Sequence, residues 1–147
     1  MKPINKAEIS FISNSANEAF ARGAVTAFLL SLDPTVSDLT DIKTALSEAV
    51  TNAIIHGYRD RLGTVYISLK YFEDGKVVVR VRDRGCGIED VRAAMEPLFT
   101  TGGNEQAGIG FAVMQSFCDK VRVTSTPGRG TSVILTKLLT KKDETGR

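Results

Sequence analysis

Between Ile42 and Ile54 the apolar residues fall at Ile42, Ala45, Leu46, Ala49, Val50, Ala53 and Ile54, in alternating steps of three and one. That spacing is one stripe of an α-helix. Ser37, Asp38 and Asp41 upstream suit its N-terminus, and Gly57 suits the residue just past its end. Ahead of it, Glu8 to Ile12 alternates as a short strand. Ser15 and Glu18 have capping-box spacing, and Ala16, Ala19, Phe20, Ala24, Ala27 and Phe28 repeat helically. A first helix is therefore predicted from Asn17 to Leu32, with Arg22 off its apolar stripe and exposed. Asp33–Pro34 ends that helix.

Downstream the period changes to two. Thr64 to Phe72 alternates with Val65, Ile67, Leu69 and Tyr71 on one face, and Lys76 to Asp83 with Val77, Val79 and Val81. Asp74–Gly75 between them is a tight-hairpin signal. A short helix is predicted over Glu89–Glu96, a mobile loop over Pro97–Ala107 and a third helix over Phe111–Cys118, opened by Gly108 and Gly110. Strands at Val121–Ser125 and Thr131–Leu135 are joined by a turn at Thr126–Gly130. The order β-α-α-β-β-α-β-β predicts an α+β fold, a two-layer α/β sandwich with helices on one face of a mainly antiparallel mixed sheet. Residues 1–139 form one domain in this reading, and 140–147 a charged, disordered tail.

Composition narrows the field only a little. The chain has 147 residues, 42% hydrophobic and 24% charged, ordinary values for a soluble globule. A net charge of +2 gives no argument for direct nucleic-acid binding. No apolar run is long enough to span a bilayer and no signal-peptide pattern is present, so a cytoplasmic protein without membrane contact is expected. Cys86 and Cys118 read as free thiols, and a single histidine argues against zinc.

Four short motifs carry candidate chemistry. Glu48 and Asn52 stand one above the other on the central helix beside its apolar stripe. They can be a hydrogen-bonded polar flank, or a base that polarises a hydroxyl beside a neutral oxygen ligand for Mg²⁺. Asp83, Gly85 and Gly87 end a strand; they can be a turn, or a carboxylate that accepts from an exocyclic amine while glycines let the backbone approach a ligand. Gly108 and Gly110 can be a flexible helix entry or a phosphate site at a helix N-terminus. The preceding loop, with Thr100 and Thr101, could close over phosphates as a lid. Gly128, Gly130 and Thr131 form a hairpin turn whose threonine could direct its hydroxyl beside Asp83.

Singly these motifs are weak, but their order and spacing resemble the GHKL superfamily, which includes gyrase, Hsp90, the histidine kinases and MutL. Neither Gly-x-x-x-x-Gly-Lys nor His-Arg-Asp occurs, so neither a Walker loop nor the eukaryotic kinase set is present. Residues 47–58 and 97–101, with Leu32–Thr35, are similar to the bacterial anti-sigma factor serine kinases, nearest to their sporulation branch, and the likeness extends from about Glu8 to Leu138. The resemblance implies a Bergerat-type ATP-binding fold, ATP and Mg²⁺ as cofactors, and a homodimer. It also implies that the protein holds a sigma factor inactive and phosphorylates a serine of an anti-anti-sigma partner. Carried onto this chain, Glu48 is the catalytic base and Asn52 the Mg²⁺ ligand. Asp83 and Thr131 read adenine. Gly85, Gly87, Gly108, Gly110 and Phe111 shape the pocket, Thr100 and Thr101 belong to the lid, and Arg22 meets a partner. The residues leave open a stress-response kinase of the same family, a histidine-kinase-type catalytic domain, and an ATP-gated binding module without transfer. One departure from the family is that Thr100–Gly110 contains no Lys or Arg to touch a terminal phosphate.

Overall fold

The computed structural model describes residues 1–96 and 105–142, the side chains of 105–107 excepted. Strand β1 (Asn5–Ile12) leads into helix α1 (Asn17–Leu30), then α2 (Val36–Thr51), which runs on as a wide turn over Asn52–Gly57. Strands β2 (Thr64–Tyr71) and β3 (Lys76–Asp83) follow, then the short helix α3 (Val91–Ala94), helix α4 (Glu105–Phe117), and strands β4 (Lys120–Thr126) and β5 (Gly130–Leu138). The sheet order is β1-β2-β3-β5-β4. Each of its four pairings is antiparallel, so the sheet is not mixed.

The period of two in β2 and β3 buries what it predicts. Val65, Ile67 and Leu69, with Val77, Val79 and Val81, are at most 2% exposed. Against them lies the stripe of α2: Ile42, Ala45, Leu46, Ala49 and Val50 are likewise buried. Helix α2 is capped as expected of its sequence, although the cap is Thr35, whose Oγ1 accepts from the Asp38 N–H at 3.0 Å. Lys137 on β5 ties the layers together, 3.0 Å from Asp41 on α2 and 2.9 Å from the Phe117 carbonyl at the end of α4.

Helix α1 departs from its expected stripe. Ala21, Val25 and Leu29 are the buried row, whereas Phe20 is 52% exposed and stands edge-on to the Phe11 ring. The helix is apolar almost all round, so its periodicity does not fix which side faces inward. Arg22 is next to that buried row and is half-buried rather than fully exposed. The capping box does not form either: Ala16 stands at the N-cap without a side-chain bond, and the Asn14 carboxamide accepts from the Ala16 N–H instead. Glu18 is turned to a different use, accepting from Thr51 Oγ1 at 2.9 Å. At the other end of the chain, the Thr140 N–H donates to buried Asp38 and Lys142 pairs with Asp33, so the charged tail is tied down at least through residue 142.

Leu46 is fully buried at the centre of the helix layer. Leu46→Ala is expected to cost about 2–5 kcal/mol of unfolding free energy, measured by urea denaturation, because both the lost transfer energy and the cavity count against it. A loss under about 1 kcal/mol would contradict this packing.

Candidate nucleotide site

The α2 helix does not stay α-helical to His56. Beyond Thr51 it widens, and the Tyr58 N–H bonds to the Ala53 carbonyl, five residues back, at 3.0 Å. One extra residue in the ladder rotates the next stretch of backbone by about 100° around the axis. Gly57 is thereby brought onto the end of β3. A side chain on Gly57 would begin 2.7 Å from the Asp83 carboxyl carbon, and one on Gly85 would begin 2.0 Å from the Gly57 carbonyl oxygen. Only two bare backbones fit there, and the Gly57 carbonyl accepts from the Cys86 N–H at 2.8 Å.

Between this junction and the helices lies a cavity of about 820 Å³. Asp83, Thr131, Val81 and Val133 line its sheet side, Ala49, Asn52 and Ala53 its α2 side, and Phe111 of α4 also faces it. The volume lies within the range usual for small-molecule sites. Asp83 is 5% exposed and accepts from the Gly85 N–H at 2.9 Å. Burial raises its protonation range; the backbone N–H groups of Gly85 and Thr131 and the charge of Arg61 pull it back down. A buried acceptor flanked by Val81 and Val133 suits a neutral N–H donor on a flat ring. Thr131 pairs directly with Asp83 across the sheet, and its hydroxyl lies 2.8 Å from that of Ser125. Ser125 also bonds the Gly130 carbonyl and receives the Ile88 N–H, so it braces this end of the cavity.

At the α2 end, Gly110 packs against the two polar residues of that helix. A methyl on Gly110 would lie 3.1 Å from Glu48 Oε2 and 3.3 Å from both terminal atoms of the Asn52 amide. The bare glycine thus lets α4 approach the carboxylate and the amide closely. Among the described residues Asn52 Nδ2 is buried without a hydrogen-bond partner, a donor of the kind that a bound polar group satisfies. Gly108 is pressed instead on the Glu96 carbonyl, where an added carbon would come within 2.6 Å. Because α4 begins at Glu105, Gly108 and Gly110 lie inside its first two turns and do not open it. Helix propensity alone misplaced that start, since two glycines in an otherwise apolar run read as an entry.

Glu48, Gly85, Gly108 and Gly110 lie behind the lining, with Gly85 against Gly57, Gly110 against Glu48 and Asn52, and Gly108 against Glu96, whereas Asn52, Asp83, Gly87, Phe111 and Thr131 line the cavity itself. Arg22 does not line it. It stands one turn beyond Glu18, whose carboxylate meets Thr51 beside Asn52, so it belongs to the neighbouring helix surface. Thr100 and Thr101 lie outside the described residues, as does most of the expected lid. Sequence reasoning missed Gly57, which read only as a helix stop, and Arg59 and Cys86, which line the cavity with His56. Burial and the adjacent Arg59 both lower the His56 pKa, favouring the neutral imidazole. Arg59 adopts φ 57°, unusual for a side chain of its size, and that strain was a signal no spacing rule carries.

Among the described residues no group of three or more His, Cys, Asp or Glu could hold a metal. The Asn52 amide could supply one oxygen, leaving other positions to phosphates and water, as Mg²⁺ prefers.

The model of the histidine kinase-like ATPase domain matches residues 12–137. The anti-sigma F factor of Thermoanaerobacter sp. (strain X514) is 52% identical over 95% of this chain and 97% of its own length. That of Clostridium novyi (strain NT) is 52% identical over 92% and 95%, and that of Priestia megaterium 49% identical over 92% and 94%. Among solved structures, the RsbU and RsbW domains of a Mycobacterium tuberculosis protein align with a TM-score of 0.69 at 22% identity, covering 95% of this chain and 34% of that one. The SiaB–SiaC complex of Pseudomonas aeruginosa aligns with a TM-score of 0.61 at 14% identity, covering 87% and 88%. At those identities the two structures speak for the fold alone. A shared domain over most of its length and half its residues in common with these factors mean that the chain belongs to the histidine kinase-like ATPase domain family and, within it, to the anti-sigma F factors.

Proposed function

We propose that this chain is an ATP- and Mg²⁺-dependent serine kinase that sequesters a sporulation sigma factor and phosphorylates a serine of a small anti-anti-sigma partner. The observation that carries the kinase reading is the cavity with the buried Asp83 carboxylate at one end and, at the other, Asn52 with an amide unpartnered among the described residues, one helical turn from Glu48. Family membership supports ATP as the nucleotide, and half-identity to named anti-sigma F factors supports sigma factor and anti-anti-sigma protein as partners. A homodimer is part of the proposal, as is Arg22 on the α1 surface as a partner contact.

In this reading Asp83 accepts the exocyclic amine of adenine at the closed end of the cavity, with Thr131 beside it. Val81, Val133 and Ala53 enclose the ring. Asn52 and Glu48 then face the triphosphate. Bound Mg²⁺ would neutralise and orient phosphate oxygens there. Asn52 would hold the ion, and Glu48 would take the proton of the incoming serine hydroxyl as that oxygen attacks the terminal phosphorus and the bond from that phosphorus to the bridging oxygen breaks, with ADP leaving. Most of the work is positioning and charge placement, because phosphoryl transfer needs little covalent help from protein. With no Lys or Arg between residues 100 and 110, further positive charge must come from another part of the protein or from the partner.

Glu48→Gln keeps the shape of the site and removes the base. Phosphorylation of the partner serine, followed with labelled ATP, is expected to fall by about 100-fold or more while ATP affinity stays within about twofold. Undiminished transfer would remove Glu48 from the chemistry; label on histidine would make the chain a histidine kinase. Asn52→Ala is expected to weaken ATP binding by about tenfold in the presence of Mg²⁺ and to change it little in EDTA, measured by calorimetry. Equal losses with and without the metal would count against Asn52 as its ligand.

A further inference from the structure

Asp83 can read a base only if the strand end that carries it is held still, and the residue that holds it lies outside the cavity. Tyr58, the first residue after the wide turn, is 4% exposed and is not among the cavity-lining residues. Its hydroxyl donates to the Thr64 carbonyl at the start of β2 and accepts from the Arg84 N–H at 2.8 Å. Arg84 directly follows Asp83. On the other side of the motif, the Gly57 carbonyl takes the Cys86 N–H at 2.8 Å. Two consecutive residues of the turn thus grip the backbone at Arg84 and Cys86, and between those points the Gly85 N–H donates to the Asp83 carboxylate.

The ring that presents this hydroxyl has a built seat. It lies against Gly63, where an added carbon would begin 2.2 Å from Tyr58 Cε1, and the Arg61 guanidinium is 5.7 Å from its centroid. Gly63 is itself pinned, its N–H donating to Ser13 Oγ at 2.9 Å and its carbonyl accepting the Ser13 N–H at 2.8 Å. A tyrosine whose only need was burial could be a phenylalanine. Here the hydroxyl uses both its proton and a lone pair on backbone groups that would otherwise be half-buried and unmatched.

We propose that Tyr58 is a positioning residue for base recognition: its hydroxyl latches the Asp83–Gly85 backbone in the one placement from which the carboxylate meets an exocyclic amine. This role rests on adenine binding at Asp83 and goes beyond it. Without the hydroxyl the Asp83 end relaxes, and discrimination between purines is lost before binding of the phosphate tail. Glu48 and Asn52, on the helix before the turn, stay where they are.

The test compares ATP with inosine triphosphate, which carries a carbonyl oxygen in place of the amine, in the wild type and in Tyr58→Phe. The wild type is expected to prefer ATP by about tenfold or more. In Tyr58→Phe the preference should shrink by about fivefold, with inosine triphosphate affinity moving less than about twofold. The KM for ATP should rise while kcat at saturation holds. Gly63→Ala, which unseats the ring but keeps the hydroxyl, should give the same pattern. A variant that loses thermal stability yet keeps the wild-type preference would reduce Tyr58 to a structural residue and overturn the inference. A wild type that binds ATP with no preference would overturn the reading of Asp83 as well, and that arm is scored without any variant.

Discussion

The cavity exists because two backbones can touch. Gly57 at the end of the wide turn and Gly85 just past β3 meet with no side chain between them, and the Gly57 carbonyl is bonded to the Cys86 N–H. That junction fixes the helix to the sheet at one point and lets them diverge from there. Asn52 lies on the helix before the junction, Asp83 on the strand before it, and the space between them is the site. A methyl on either glycine would drive the two elements apart or push the Asp83 carboxylate out of place. The close approach therefore sets the distance between the amide that can hold a metal and the carboxylate that can read a base.

The two ends differ in chemistry. The sheet end is apolar apart from a buried carboxylate and a threonine, so a ring can be enclosed and its one polar edge matched. The α2 end has a carboxylate and an amide around a glycine, with an amide donor buried and unpaired among the described residues. In water such a donor costs nothing; in protein it is a deficit until an acceptor such as a phosphate oxygen arrives. The wide turn lies between the ends. Wide turns of this kind often mark functional segments of helices, and this one delivers Gly57 to Asp83 and Tyr58 to the Arg84 backbone.

Much of this was legible in the residues. The stripe from Ile42 to Ile54 and the period of two in β2 and β3 identified the core layers, because each element has one continuous apolar face and a mostly polar one. Glu48, Asn52 and Asp83 were found because carboxylates and an amide beside apolar stripes are conspicuous, and the spacing of the glycine motifs tied them together. Helix α1 misled because alanines and phenylalanines occur all around it, so no face was marked. The start of α4 misled because glycine is a poor helix former whose place inside a helix is decided by tertiary contact, here with Glu96, Glu48 and Asn52. The wide turn itself left no trace in the pattern: one inserted residue at a helix end looks like an ordinary helix stop. Tyr58 was hidden for the same reason, standing in what reads as a polar loop.

The central claim is that a single nucleotide spans the cavity, its metal at Asn52 and its base at Asp83. A crystal structure with Mg²⁺ and a non-hydrolysable ATP analogue tests it most directly. The account predicts the adenine amine within hydrogen-bond distance of the Asp83 carboxylate, and the ion within about 2.1 Å of the Asn52 oxygen. A nucleotide bound in the reverse sense, or anywhere outside this cavity, would contradict it.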